Sequence, residues 1–423
     1  MEKITAFVTN NFNRDPRVNK TANTLSAAGY DITVISITDT EPGEEHPGRI
    51  SVVQLQNRYG RRINRALRKI SSHLSHRTSQ SGKDESYVPP TCPADQNSLQ
   101  KCRYRIADFL EFAFLAYRNI CWALVLLPRK ADIYYANDLD TLLCAYLLSR
   151  FYRSGLIYDS HELYIECIEG SKQTLKSLLR RFEQLLIRRC NAVLTVNTSI
   201  AEELSSRYHI ATPSVIYNCP TRTGDIVEHD TAEVTGRPVR IIYQGIYAAD
   251  RGLEEIILSQ KDLQHCELDL RILFTNPSDE ERLARLIERE NLSGSVRIIP
   301  PVSMKDLVRG LRGYDIGIIA YKPACLNNYY ATPNKLFEYM MGGLALASSD
   351  LPEIRKIITR CENGVLFEPT DPHDIAMKLQ ELIADTQRLE SMKERSRYYS
   401  DTVFTWENQE QTILDAVKCV RQT

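Results

Sequence analysis

The sequence lacks the features that mark several large classes of protein. Its eleven cysteines are scattered singly, without a CxxC pair or regular spacing, which is typical of reduced thiols in a cytosolic protein. The first residues, MEKITAFV, show no basic segment followed by a long apolar run, so we expect no signal peptide. No stretch of about 18 uninterrupted apolar residues occurs, so we expect no helix that spans a bilayer.

Net charge is also nearly absent. The formal charge is -1 at pH 7, so the overall field of the protein neither attracts nor repels nucleic acid, and we expect no nucleic-acid partner. A charged partner would instead have to bind a local patch of opposite charge on the surface. The hydrophobic content of 43% and the charged content of 25% are ordinary for a soluble globular protein. The 423 residues suffice for two or three domains.

The first half of the chain alternates short apolar runs with helical patterns. Predicted strands lie at residues 4–9, 32–37, 50–55, 133–136, 156–158, 192–196 and 215–217. This alternation predicts a parallel sheet with helices on both faces. The first loop, residues 10–15, lacks the G-x-G-x-x-G pattern, so we do not expect this half to hold a dinucleotide. Its polar side chains are free for another ligand.

Residues 58–77, RYGRRINRALRKISSHLSHR, contain seven basic residues and no acid. Four apolar residues recur there at helical spacing: Ile63, Leu67, Ile70 and Leu74. We interpret the segment as a basic amphipathic helix that contacts an anionic membrane surface. The alternative is a helix packed on the sheet with a solvated basic face.

Residues 104–127 are very apolar, but Asp108, Glu111 and Arg118 interrupt them. They predict a long buried helix, and insertion into one leaflet of a membrane is the alternative. Further along, His161 and Glu162 follow the predicted strand at 156–158. Ligands of open α/β sheets lie beyond the carboxyl ends of the strands, so His161 could bind a sugar or carry a proton. A loop histidine satisfied by local contacts is the alternative. No second His or Cys lies nearby at ligand spacing, so we expect no metal site.

The second half repeats the pattern after a polar stretch at 218–238, which we interpret as a linker. Its predicted strands lie at 239–243, 268–274, 296–299, 316–320 and 344–347. We therefore expect an α/β protein of two Rossmann-like domains whose parallel sheets face each other across a cleft. The domains would comprise residues 1–217 and 239–403, and a final helix at 404–423 would cross back to the first.

The clearest candidate site lies at residues 327–350. Thr332 and Pro333 suit the start of a helix, and Gly342-Gly343 ends it. Lys335 stands in the first turn, where the helix dipole disfavours a cation unless an anion binds. Glu338, one turn further on, could accept hydrogen bonds from the diol of a ribose. An ordinary surface pair of Lys335 with Glu338 is the alternative.

A second loop also places a basic residue at the start of a helix. Gly245 permits close approach of the backbone, and Arg251 stands where the next helix begins. Arginine is suited to bidentate contact with phosphate. Together these residues predict a site for a nucleoside diphosphate.

Several stretches resemble one known family. ATPNKLFEYMMGGLALASSDLPEI, followed by NGVLFEPTDPHDIA, is similar to the donor-binding block of the family 4 retaining glycosyltransferases of the GT-B fold. YQGIYAADRGLEEII resembles their glycine-containing phosphate loop. NRDPRVNKTANTLSAAGYDITVIS and YDSHELYIE resemble their N-terminal strand–loop–helix and their central loop. The matches cover nearly the whole chain except about residues 56–130.

The resemblance implies a role for each matching residue. Arg251 and Lys335, beside Gly245, would hold the donor diphosphate, Glu338 the ribose, and His161 would face the donor sugar and the acceptor. The donor sugar or nucleobase would contact Asn328, Tyr330, Pro333, Asn334, Pro301 and Val302, and the acceptor side would comprise Asn11, Asp15, Asp138 and Glu162. The family's pair of glutamates seven residues apart is incomplete, because Tyr330 stands at the first position. Asn327 and Asn328 could supply hydrogen bonds there.

The resemblance also implies a reaction that needs neither a protein nucleophile nor a metal or cofactor beyond the nucleotide sugar. The expected enzyme is a hexosyl- or N-acetylhexosaminyltransferase that acts on a glycan or a polyprenyl-diphosphate-linked acceptor in surface polysaccharide synthesis. It would lie on the inner face of the cytoplasmic membrane. A nucleotide-sugar epimerase of the same architecture and a non-catalytic nucleotide-sugar-binding protein are the alternatives.

Overall fold

The computed structural model describes residues 1–36, 49–55, 98–168, 170, 172–222 and 236–422. The chain forms two compact units. The first comprises Met1–Thr195, Leu204–Ser214 and Ile413–Thr423, and the second comprises Val196–Glu203 and Val215–Thr412. This division differs from the predicted domain boundaries, because Val196–Glu203 belongs to the second unit and only Ile413–Thr423 of the last helix belongs to the first.

The first sheet has seven strands in the order β3-β2-β1-β4-β5-β6-β7. They are β1 Lys3–Val8, β2 Asp31–Ser36, β3 Ile50–Gln54, β4 Ile133–Asn137, β5 Gly155–Ser160, β6 Ala192–Thr195 and β7 Ser214–Val215. The helices of this half are α1 Pro16–Ala27, α2 Ser98–Leu126, α3 Leu139–Tyr152, α4 Gln173–Ile187 and α5 Thr198–Tyr208. The strand order reverses between β1 and β4, which are parallel. In a doubly wound sheet, ligands bind beyond the carboxyl ends of the strands at such a point.

The second sheet has six strands in the order β10-β9-β8-β11-β12-β13. They are β8 Val239–Ile246, β9 Cys266–Leu273, β10 Val296–Ile299, β11 Ile316–Ile319, β12 Ala345–Ser349 and β13 Gly364–Phe367. Its helices are α6 Leu253–Ser259, α7 Pro277–Arg289, α8 Leu326–Tyr329, α9 Asn334–Met341, α10 Pro352–Cys361, α11 Pro372–Ala384, α12 Thr386–Thr402 and α13 Trp406–Gln422. The order reverses between β8 and β11, which are also parallel.

The start of α1 and the end of α13 are fixed by local contacts within the first unit. Asp15 Oδ1 accepts hydrogen bonds from the backbone N–H groups of Arg17 (3.1 Å) and Val18 (3.0 Å), which caps α1. Val420, near the end of α13, packs against the first residue of β5. A Cβ added to Gly155 would lie 2.0 Å from Val420 Cγ1, so only glycine fits there.

The helix α2 is not the long buried helix that the sequence predicts. Phe109, Leu124 and Val125 are 56%, 61% and 63% exposed, and five further large apolar side chains of α2 are exposed as well. Two polar residues of the run, Asn119 and Asp108, are buried instead. Asn119 donates to the carbonyl of Asp140 (3.0 Å), and Asp108 Oδ2 accepts from the backbone N–H of Leu175 (3.1 Å). Apolar residues surround the helix, so their spacing does not reveal which side is buried.

By length and composition, Tyr104–Leu126 is the one segment within the described ranges that could cross a membrane. The predicted basic helix at residues 58–77 lies outside the described residues, and its contact with a membrane stays a prediction. Most of the predicted linker at 218–238 also lies outside them.

Candidate functional site

The predicted phosphate-binding residues meet in the second unit, where the strand order reverses. The loop after β8 carries Arg251 in a short 3-10 helix, Ala249–Arg251, just before α6. The helix α9 brings Lys335 to the same place from further along the chain. Its side chain passes Gly245, where an added Cβ would lie 2.8 Å from Lys335 Nζ. Gly245 has φ of 153°, which favours glycine, and a side chain there would displace the Lys335 ammonium.

Two tyrosines that the sequence analysis did not single out hold the cations. The Arg251 guanidinium lies 3.8 Å from the centre of the Tyr321 ring, and Lys335 Nζ lies 3.8 Å from that of Tyr243. Lys335 Nζ also lies 5.6 Å from the centre of Tyr321. A cation over an aromatic face is attracted by the ring's quadrupole, so the tyrosines position both charges. In the sequence, Tyr243 and Tyr321 are indistinguishable from core aromatics.

Lys335 is 7% exposed, which excludes the alternative of an ordinary surface pair with Glu338. Burial, together with repulsion from Arg251, lowers the pKa of Lys335 to about 7, although Glu338 and Asp250 oppose this shift. Arg251 is partly neutralised by Asp250, whose Oδ2 lies 3.0 Å from Nη1. Lys335 is therefore a cation that titrates near neutral pH, and the positive charge of the site favours binding of an anion.

We expect donor affinity to fall as the pH rises above about 7. A diphosphate favours the protonated amine, so binding raises the pKa of Lys335 and takes up a proton. Affinity should then be highest below that pKa and fall by up to about tenfold per pH unit above it. Calorimetry in two buffers of different ionisation enthalpy measures the proton uptake. Lys335→Met provides the control, because it removes the titrating group. A pH dependence that survives in this variant would contradict the assignment.

Glu338 is held by a buried polar chain. The Gln244 side chain donates from Nε2 to Glu338 Oε2 (3.0 Å) and accepts at Oε1 from Arg271 Nη1 (2.9 Å). The backbone N–H of Gln244 donates to the Tyr339 hydroxyl (2.7 Å), which fixes β8 against α9. Gln244 and Arg271 therefore orient the carboxylate predicted to bind ribose. Neither was predicted, because their relation to Glu338 exists only in the folded sheet, where Gln244 pairs with Arg271.

The start of α9 differs from the prediction that Thr332 caps it. The helix begins at Asn334, with Pro333 as the preceding residue and no side-chain cap. Thr332 Oγ1 instead accepts a hydrogen bond from Asn197 Nδ2 (2.6 Å), which also donates to the carbonyl of Tyr330 (2.7 Å). The first N–H groups of α9 are therefore not occupied by a capping side chain, which suits an anion site.

The remaining predicted donor-side residues lie around this centre. Asn328, in α8, donates to Asp250 Oδ2 and so joins the loop of Arg251 to α8. Asn334 accepts from Asn218 (3.1 Å). Pro301 and Val302 lie in the loop after β10, in the same sheet. Their contact with sugar or nucleobase stays a prediction.

In the first unit, His161 belongs to a polar cluster at the end of β5. Its Nδ1 lies 3.5 Å from Asp138 Oδ2, and its Nε2 lies 3.2 Å from Asn137 Oδ1 and 3.5 Å from Asp159 Oδ2. The Asn137 amide is oriented by Nδ2, which donates to the carbonyl of Phe7 (2.8 Å), so its oxygen faces the ring. Every group that faces the two ring nitrogens is therefore an acceptor. Both nitrogens then carry hydrogen, and the ring is an imidazolium.

The electrostatics agree with this assignment. Burial alone would lower the pKa of His161, but the Asp138 and Asp159 carboxylates outweigh it and raise the pKa to about 9. Burial raises the pKa of Asp138 to about 7, against the attraction of His161. At a pH between these values both partners are charged. The arrangement favours a fixed positive charge on His161 over a residue that accepts a proton.

Asp138 holds His161 at the cost of backbone strain. It has φ of 60° and ψ of 166°, a region that glycine occupies readily and other residues rarely. Its Oδ1 accepts from the backbone N–H of His161 (2.9 Å), and its own N–H donates to the carbonyl of Asp159 (2.9 Å). Such strain costs roughly 1–3 kcal/mol and is found most often at functional sites.

Asp159 is itself fixed by a buried ion pair that the sequence analysis missed. Arg17, 2% exposed, donates from Nε to Oδ2 (3.0 Å) and from Nη2 to Oδ1 (2.7 Å). The Tyr135 hydroxyl donates to Oδ2 as well (2.9 Å). Burial would raise the pKa of Asp159, but Arg17 and His161 together hold it well below its usual range. The start of α1 is thereby tied to the end of β5.

Three further residues predicted for the acceptor side also lie at this edge of the sheet. Asp15 caps α1, and Asn11 Oδ1 accepts from the backbone N–H of Asn13 (2.9 Å) in the loop after β1. Glu162 follows His161, and its carbonyl accepts from Ser160 Oγ (2.9 Å). Their contact with an acceptor stays a prediction. Within the described residues, no group of three or more His, Cys, Asp or Glu side chains could hold a metal ion.

Two family models match the sequence. One, described as "Glycosyl transferases group 1", matches residues 228–398, and the other, described as "Glycosyltransferase Family 4", matches residues 91–219. A comparison with curated proteins finds no match.

Solved structures share the fold over the whole chain. Sucrose-phosphate synthase from Thermosynechococcus elongatus is 14% identical, with a TM-score of 0.69 and 100% of both chains covered. A glycosyltransferase from Rickettsia africae is 14% identical, with a TM-score of 0.68, 100% of this chain and 99% of its own covered. HepE of Anabaena, in complex with UDP and glucose, is 14% identical, with a TM-score of 0.64, 99% of this chain and 100% of its own covered. The chain therefore has the GT-B fold.

Proposed function

Because the chain belongs to the group 1, family 4 glycosyltransferases, we propose that it transfers a hexose or N-acetylhexosamine from a nucleoside diphosphate to a lipid-linked glycan. The main observation behind the proposal is that Arg251 and Lys335 lie over tyrosine rings where the strand order of the second sheet reverses. Two cations beside the uncapped start of α9 suit a diphosphate, and Glu338 beside them suits a ribose.

The donor diphosphate would be both the leaving group and the proton acceptor. The bond between the anomeric carbon and the diphosphate oxygen breaks, and a bond from that carbon to the acceptor oxygen forms on the same face. The acceptor proton passes to the departing diphosphate. Arg251, Lys335 and the N–H groups of α9 would stabilise the charge that develops there, so no metal is needed.

His161 would support this step as a cation. Its charge is fixed by Asp138 and Asp159, so it would stabilise developing negative charge as a fixed cation rather than remove a proton. Asp138 and Asp159 are then positioning residues, because they act through the imidazolium.

The proposed acceptor is a glycan carried on polyprenyl diphosphate in surface polysaccharide synthesis at the inner face of the cytoplasmic membrane. The similar structures suggest donors to test first. HepE is recorded with UDP-glucose, and TarM of S. aureus is recorded with UDP and α-GlcNAc-glycerol. Uridine diphosphate sugars are therefore the natural starting set for this chain.

The deciding experiment incubates the full-length protein with a panel of nucleotide sugars, with and without a lipid-linked acceptor extracted from membranes. Transfer of radiolabelled sugar to lipid, with retention of anomeric configuration, supports the proposal. Conversion of the nucleotide sugar to an epimer without any acceptor would favour the epimerase alternative. Tight binding without turnover under every condition would favour a non-catalytic binding protein.

We expect Glu338→Gln to weaken binding of a ribonucleotide donor more than binding of its 2′,3′-dideoxy analogue. A neutral amide is a poorer acceptor for the two ribose hydroxyls, and the analogue has neither. The expected loss for the ribonucleotide is about 1.5–3 kcal/mol, as for a hydrogen bond to a charged group. Calorimetric titration of both ligands measures it. Equal losses for the two ligands would show that Glu338 is structural.

A further inference from the structure

We propose that the exposed apolar face of α2 is the surface on which this protein rests on an anionic lipid bilayer. We define the α2 face as Ile106, Phe109, Leu110, Tyr117, Ile120 and Leu124, all of which are exposed. At about 100° per residue, these six fall within an arc of about 100° along the helix. From Ile106 to Leu124 the face extends for about 27 Å. Apolar surface of this extent on a soluble unit marks an interaction site.

The opposite side of α2 packs against the rest of the first unit. The helix can therefore lie along the surface of a bilayer but cannot cross it. Trp122, Ala123 and Leu126 are buried against the unit. Asn119 accepts from the backbone N–H of Cys144 (3.0 Å) and donates to the carbonyl of Asp140, both in α3. A helix packed along its length by apolar and polar contacts cannot be surrounded by lipid, but it can bury one face at the interface of a membrane.

Basic residues lie at the carboxyl end of the α2 face. Arg129 and Lys130 follow the helix and are exposed, and so are Arg150 and Arg153 at the end of α3. Tyr152 joins these two ends, because its hydroxyl bonds to the carbonyl of Leu127. None of the four cations forms an ion pair with another described residue. Exposed Phe151 lies between them, beside Tyr152.

This charge pattern favours an anionic lipid surface over a second protein chain as the partner of the α2 face. The nearby exposed acid Asp132 accepts from the backbone N–H of Lys3 (2.8 Å), and Glu111, on another side of α2, pairs with Lys172 (2.8 Å). If a second copy of the chain packed on the α2 face through its own α2 face, it would bring the same four cations. Among the described residues, it would bring no unpaired acid along that face to form ion pairs with them. Anionic headgroups supply the missing negative charge, and the acyl boundary receives the apolar side chains.

The inference deepens the proposed function by naming the surface that would face a lipid-linked acceptor, and it rests on that function only for the acceptor. The test uses the full-length protein without any nucleotide sugar. It measures sedimentation with vesicles of phosphatidylcholine alone and of phosphatidylcholine mixed with phosphatidylglycerol. Ile120→Glu/Leu124→Glu disrupts the face, and Met304→Glu/Met377→Glu, two exposed methionines of the second unit, is the control with the same added charge.

We expect the wild type and the control to bind the anionic vesicles and the α2 variant to bind at least about tenfold more weakly. Arg129→Gln/Lys130→Gln should bind more weakly and lose part of its salt dependence, because Arg150 and Arg153 remain. Unchanged thermal unfolding and donor binding show that the variants are folded, and they report on the donor site separately. Equal binding by the α2 variant and the control would overturn the proposal. So would failure of the wild type to bind vesicles, or a wild-type dimer that the α2 variant abolishes.

Discussion

His161→Ala should lower the rate of sugar transfer by about 10²–10³-fold and leave donor binding nearly intact. The expected loss is that of one preorganised positive charge that stabilises the charge developing in the transition state. Donor affinity should persist, because the residues predicted to hold the diphosphate lie in the second unit and His161 lies in the first. Single-turnover rates with radiolabelled donor, beside calorimetric donor affinity, measure the two effects. Transfer near the wild-type rate would refute the role of His161.

The pH profile of Asp138→Asn tests whether His161 acts as a fixed cation or as a proton acceptor. If the imidazolium is the active form, activity is lost as the pH rises through the pKa of His161, about 9 in the wild type. Asparagine removes one of the two carboxylates that raise this pKa, so the alkaline limit should move to lower pH. A base would behave oppositely, since its activity would grow as the ring loses its proton. His161→Gln is the matched control, because it has no titrating ring and should lose this limb.

Arg251→Ala and Lys335→Ala should each weaken donor binding by about 1.5–3 kcal/mol, which is roughly 10- to 150-fold in Kd. Each change removes a charge-assisted contact with the diphosphate, while the fold persists because neither side chain fills the hydrophobic core. Calorimetric titration with a nucleoside diphosphate measures the loss.

Arg285→Ala, an exposed change on α7, is the control for loss of a positive charge and should leave Kd within about twofold of the wild type. The predicted loss should be smaller for a nucleoside without phosphates, because Arg251 and Lys335 act on the diphosphate alone. If both site variants bind the diphosphate as the wild type does, the phosphate assignment is wrong.

The alternation of apolar runs predicted the two parallel sheets because strands buried on both faces form nearly continuous apolar runs. The strand at 133–136, for example, lies within β4, Ile133–Asn137, which is entirely buried. The same reasoning failed for α2, where apolar residues surround the helix. Spacing then shows that a helix forms but not which side the protein covers.

The candidate site was predictable only where one residue carries a local signal. Lys335 at the start of a predicted helix and Gly245 just after a predicted strand have such signals. Tyr321, Gln244 and Asp159 do not, because each acts through a neighbour that is distant in the chain. Asp159, for example, meets Arg17 across 142 positions of sequence. Residues that position a site are selected by proximity in the folded sheet, so they have no periodic pattern of their own.

The position of α13 has a consequence for the order in which the chain folds during synthesis. The segment Ile413–Thr423 belongs to the first unit, and Val420 packs against Gly155 at the start of β5. The ribosome makes this segment after all of the second unit. The usual order, in which the N-terminal domain is completed first, is therefore reversed for its final step. The start of β5 therefore stays uncovered until Val420 has left the ribosome.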